Sequence, residues 1–140
     1  MGGDSLLTPV LAMVFLHAAA WVAMTITRGQ AMSQTGMSLE KGKHTSDLKD
    51  LPSTARQVAD NYNHLFELPT VFYALIFYIW AMQHADELHV MCAWGFFFSR
   101  VLHSLVQWTI NRVSIRFPIF AIGWILILVM AVRELLKLAA

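Results

Sequence analysis

Two sets of residues in this chain have types and spacings that suit chemistry. Arg56, Asp60, Asn63 and Glu67 fall within roughly 60° of one another around a helix. Arg100, His103, Ser104 and Gln107 also share one helix face, extended by Asn111, and Arg112 and Arg116 follow directly. Glu67 and Arg100 each lie about 13 residues into an apolar run, near mid-membrane depth at about 1.5 Å per residue. An isolated charge there costs about 2.5–3.5 kcal/mol, so the two are expected to pair, within one chain or across an interface. His64, His103, Arg56, Arg112 and Arg116 exceed what one pair requires. Their clustering toward one membrane face reads as a cationic pocket for an anionic ligand. The spacing of His64, Glu67 and His103 matches no standard metal site. A purely structural ion pair and a proton or ion path are the competing readings of the same charges.

The elements that must position these residues are apolar. The chain has 140 residues, of which 57% are hydrophobic and only 14% charged. A soluble domain carries about 25% charged residues, and the mean hydropathy here is +0.54. The class expected is an all-α integral membrane protein, a four-helix bundle forming one domain. Its spans are predicted at about 5–28, 54–83, 86–110 and 117–138, with a polar loop over 29–53. Ser5–Thr27 lacks formal charge and is too long for a signal-peptide core, so it reads as a first span. His17 within it reads as a histidine bonded inside the bundle. Pro69 should kink the second span just after Glu67. Pro118 is expected in the first turn of the fourth. A net charge of +1 and the single Cys92 argue against a nucleic-acid partner, a disulfide framework and a cysteine-based zinc site. Cys92 reads as a packing residue.

Orientation follows from the basic residues. Arg28, Lys41, Lys43, Lys49, Arg56, Arg112 and Arg116 lie on the side of loops one and three; only Arg133 and Lys137 lie on the other. Loops one and three are therefore expected in the cytoplasm and both termini outside.

The segments NHLFELPTVFYAL (63–75) and SRVLHSLVQWTINRVSIRF (99–117) resemble the membrane-associated proteins in eicosanoid and glutathione metabolism, the MAPEG family. The second segment is the more specific. An Arg-Val-x-His-Ser run is followed by two arginines four apart, falling here on Arg100, His103, Ser104, Arg112 and Arg116. The glutamate followed closely by proline falls on Glu67 and Pro69. The pattern differs from the family's at Asp60, Asn63, Gln107 and Phe120. The resemblance implies a homotrimer of four-helix chains, with glutathione bound between neighbouring subunits near the cytoplasmic face.

The activity implied is that of a glutathione-dependent transferase, isomerase or peroxidase acting on lipophilic electrophiles from the bilayer. Arg116 would be the catalytic thiolate stabiliser, since nearby cations lower a thiol pKa. Arg56, Arg100 and Arg112 would hold the glutathione carboxylates. Glu67 would receive the amino group or orient Arg100, and Asn63, His64 and His103 would complete the pocket. The rival readings are a non-catalytic relative that binds a lipid or a partner protein, and a structural trimer.

Overall fold

The computed structural model describes residues 4–38, 40 and 45–139. Five α-helices follow in order among them: α1 (Asp4–Thr35), α2 (Ser53–His64), α3 (Leu68–Ala81), α4 (Glu87–Trp108) and α5 (Val113–Ala139). A 3-10 helix, Thr45–Asp50, precedes α2. Three segments are long and apolar enough to cross a membrane: Ser5–Thr35, Ser53–Ala81 taken across the α2–α3 break, and Val113–Ala139. Lys41 and Lys43, which count toward the charge asymmetry, lie outside the described residues.

The polar face of α4 is turned inward. Its residues Arg100, His103, Ser104 and Gln107 are all buried, and α4 packs against α1, α2 and α5. The apolar core joins Met13 and Ala20 of α1, Phe72 and Ile76 of α3, Phe96 of α4 and Met130 of α5. Phe72 and Phe96 stack with ring centroids 4.3 Å apart. Lipid tails are as apolar as these side chains, so close packing and internal hydrogen bonds hold such helices together. The Asn61 amide supplies one of those bonds, from α2 to Ser104 Oγ on α4 at 3.1 Å. Phe15, Phe98 and Leu135 are among the large apolar side chains left exposed on the outside.

Helix boundaries differ from the expectation in three places. The single kinked second helix is two helices, because residues 65–67 leave the α-helical path in a tightened turn. Phe66 N donates to Asn63 O at 2.9 Å and Glu67 N to His64 O at 3.3 Å. Pro69 then sits in the first turn of α3, where its missing N–H costs nothing. His17 braces this break: its Nε2 lies 2.6 Å from Leu65 O and its Nδ1 2.8 Å from Met13 O.

Secondly, α1 runs on to Thr35, through residues predicted to be loop. Ala31 and Met32 on that extension form a second apolar cluster with Leu48, Leu51 and Ala55, and this packing outweighs the polar local sequence. Thirdly, α5 begins at Val113, ahead of Phe117, so Pro118 lies inside the helix and not in its first turn. The connector before it shrinks to a turn closed by Asn111 N donating to Val106 O at 2.8 Å. Asn111 takes a left-handed φ of 44°, a conformation asparagine tolerates better than most residues.

Candidate functional site

The α2–α3 break carries His64 and Glu67 to the surface facing α4 and α5. There they line a cavity of about 190 Å³ with His103, Val113, Arg116, Phe117 and Phe120. His64 Nδ1 and Glu67 Oε2 are 3.1 Å apart. The His64 and His103 rings meet edge to face at 6.3 Å, and His103 lies 6.2 Å from the Phe120 ring. Arg116 Nη1 donates to Asn111 Oδ1 at 2.5 Å. In the amide orientation that satisfies its neighbours, Gln107 also accepts from Arg116 Nη1 at 3.3 Å. Arg116 Nε is buried and has no hydrogen-bond partner among the described residues. The arrangement therefore offers a carboxylate, two imidazoles and a guanidinium with a spare donor, against an apolar aromatic wall. It can bind a small anion beside an apolar reactant.

Four of the eight residues singled out from sequence meet here: His64, Glu67, His103 and Arg116. Arg56 and Asn63 do not. They line a separate cavity of about 400 Å³ at the loop-one end, with Arg28, Lys49 and Asp60. Arg112 is exposed and lines neither cavity.

Arg100 is 2% exposed and belongs to the α4–α5 contact. Its Nη2 donates to Ile119 O at 3.2 Å and Phe120 O at 3.5 Å, and its Nε to Ser99 Oγ at 3.3 Å. Its guanidinium lies over the Phe96 and Phe120 rings, 5.4 and 5.3 Å from their centroids. The space exists because Gly123 has no side chain; a Cβ there would lie 2.6 Å from Arg100 Nη2. The Glu67–Arg100 pair is thus not formed within the chain. Glu67 ends the α2–α3 break with 60% of its side chain exposed and is bonded to His64, while Arg100 is turned to the α5 carbonyls.

The sequence reading missed a second polar centre at the opposite end. Glu134 on α5 is 3% exposed. Its carboxylate contacts His84 Nδ1 at 2.5 Å, Lys137 Nζ at 2.9 Å and His89 Nε2 at 3.4 Å. His89 Nδ1 lies 3.1 Å from Asp86 Oδ1, and Arg133 donates to the other Asp86 oxygen. Asp86 also caps α4, accepting from His89 N at 3.1 Å. Burial raises the Asp86 pKa, but the His89 amide and the charges of His89 and Arg133 outweigh it and hold the carboxyl below its ordinary value. The available signal was the spacing of Arg133, Glu134 and Lys137 at the end of a span opposite a His-x-Asp turn.

The model of the MAPEG family matches residues 6–136 of the chain. No curated protein and no solved structure matches it.

Proposed function

The chain belongs to the MAPEG family, and we propose that the His64–Arg116 cavity binds glutathione for reaction with a lipophilic electrophile drawn from the bilayer. The reaction class is that of a transferase, isomerase or peroxidase. The observation that carries this reading is the buried Arg116 Nε, a donor left without a partner beside a cavity lined by Glu67 and two histidines. A buried donor is costly to leave unpaired unless a ligand takes it up. Glutathione bound there would supply a thiol nucleophile. The Arg116 guanidinium would hold negative charge at the sulfur, and its own position is fixed by Asn111 and Gln107. Glu67 would accept from the α-amino group, and His64 and His103 would donate to a carboxylate. Phe117 and Phe120 would give the electrophile an apolar surface.

Ligand pockets usually enclose about 300–1,000 Å³, and 190 Å³ falls short. A neighbouring subunit in a homotrimer would supply the missing wall. Arg56, Asn63, Arg100 and Arg112 would reach the ligand only if such an assembly brought them to it. α4, with its polar face buried, would be the fourth span. Loops one and three would face the cytoplasm and both termini the opposite side.

Moving a thiol pKa from about 8.5 to about 6.5 needs about 2.7 kcal/mol of preferential thiolate stabilisation, within reach of one arginine. Titrating purified protein with glutathione at pH 7 should give a saturable ultraviolet thiolate absorbance. Arg116→Ala should abolish it and weaken binding. Absence of binding at millimolar glutathione would overturn the enzyme reading. A second reading, a non-catalytic relative that binds a lipid or a partner protein, is favoured by one observation. Glu67 and Arg116 Nη1 already have partners inside the chain, His64 for the first and Asn111 for the second. Binding without the thiolate signal would support that reading.

A further inference from the structure

The larger cavity adjoins the site just described at Asn111, which also holds Arg116, but has a different lining and a different chemistry. Its volume is about 400 Å³, and its charged lining is Arg28, Lys49, Arg56 and Asp60. The three cations come from three elements: α1, the 3-10 helix and the first turns of α2. None of the three makes an ion pair or side-chain hydrogen bond among the described residues. With Asp60 the charged lining sums to +2. Three like charges around one concavity repel one another, and that cost is relieved by an anion of matching charge.

The cavity is also constructed. Leu48, Leu51 and Ala55 line it and belong to the second apolar cluster, which folds the segment before α2 onto Ala31 and Met32 of the α1 extension. A mere connector has no need of its own core. Its depth is set by Arg28, the first charge after the uncharged run 5–27, and therefore at the height of the lipid headgroups.

We infer that this cavity is a binding site for a phosphate-bearing anion, with Arg28, Lys49 and Arg56 as its cationic ligands. Guanidinium groups match phosphate oxygens in pairs, and the ammonium of Lys49 adds a point charge. The apolar wall beside the cations accommodates the glycerol and first methylenes of a lipid. Two sources carry this chemistry, the phosphodiester of an anionic phospholipid and a soluble phosphate ester. Neither depends on glutathione binding elsewhere.

The test uses the full chain purified in a neutral detergent. It is titrated calorimetrically with dihexanoyl phosphatidylglycerol, with glycerol 3-phosphate and with dihexanoyl phosphatidylcholine. The expected result is saturable binding of at least one of the first two and markedly weaker binding of the zwitterionic lipid. Phosphatidylglycerol bound well above glycerol phosphate assigns the lipid source; equal binding of both assigns the soluble one. Arg28→Gln, Lys49→Gln and Arg56→Gln should each weaken binding about tenfold, the value of one charge-assisted contact. Arg112→Gln, a cation nearby but outside the cavity, should leave it unchanged. Lys49→Gln is an exposed replacement that keeps the test valid if Arg28→Gln fails to fold. The inference is overturned if neither anion binds at millimolar concentration. It is equally overturned if the three cavity variants bind like wild type, or if Arg112→Gln weakens binding as much as they do.

Discussion

Glu134 and Glu67 are both membrane-region glutamates that bind a histidine, one near the end of α5 and the other midway along Ser53–Ala81, and their settings are opposite. Glu134 is 3% exposed and enclosed by His84, His89 and Lys137. Glu67 is 60% exposed and has His64 alone. Around Glu134 the cations and acids are tied to one another, through Asp86 and Arg133 as well. Buried nitrogens without a hydrogen-bond partner occur in both clusters: His89 Nδ1, His89 Nε2 and Arg133 Nε are on residues packed against the Asp86 and Glu134 carboxylates, whereas Arg116 Nε belongs to a residue that lines a cavity. The lesson concerns access. A polar cluster whose acids are ringed by its own cations and histidines holds helices together, and one that leaves a donor over in a cavity is a place for a ligand.

The largest expected effect separates these two carboxylates. Glu134→Gln leaves Lys137, His84 and His89 facing a neutral amide in a buried position and should cost about 3–5 kcal/mol. Glu67→Gln removes an exposed pair and should cost less than about 1 kcal/mol. Unfolding followed in detergent measures both. Equal losses would break the comparison.

A smaller effect uses two turns in which a residue other than glycine is left-handed, Gln83 at φ 59° and Asn111 at φ 44°. Gln83 ends α3 with no site to serve, so Gln83→Gly should stabilise the protein by about 1 kcal/mol. Asn111→Gly relieves less strain and frees Arg116. It should leave stability nearly unchanged while weakening glutathione binding, as read from the thiolate titration. A stability gain at 111 with binding intact would remove Asn111 from the site.

The smallest effect is a pH dependence. Asp86 is held below its ordinary value of 3.8. Its contribution is therefore complete above that value and is lost as the pH falls through the depressed one. Asp86→Asn retains a capping side chain, so its deficit should be about 0.5 kcal/mol at neutral pH. That deficit should shrink below about pH 4. Thermal unfolding across pH 3 to 7 gives the comparison, and a deficit that grows in acid would contradict the stated sign.

Apolar runs made most helices legible in the sequence, and Pro69 marked the place where the second one breaks. Periodicity put Arg100, His103, Ser104 and Gln107 on one face, and that face is buried. Four candidate residues, His64, Glu67, His103 and Arg116, line one cavity, although periodicity groups Glu67 with Arg56, Asp60 and Asn63, which line another. The failures share a physical cause, which is that sequence fixes depth along a helix better than direction across a gap. Glu67 and Arg100 lie at similar depth, yet the turn at 65–67 swings one outward and Gly123 opens a cradle for the other. Arg56 and Asn63 share a helix with His64 but face a different cavity. The Glu134 network was invisible because its members are 50 residues apart in the chain and looked like the ordinary polar ends of two spans.

The extension of α1 has a consequence for how the chain rides in the bilayer. Residues 28–35 continue the helix about 12 Å past the uncharged run, at about 1.5 Å per residue. The cluster of Ala31, Met32, Leu48, Leu51 and Ala55 is fastened to that projection. Bordered by Arg28, Lys49 and Arg56, it would act as a collar, too polar around its edge to sink into hydrocarbon and too apolar beneath to lift clear. Where the membrane is thicker or thinner than the spans, the collar end would keep its height and the mismatch would be taken up at the opposite face, near Glu134.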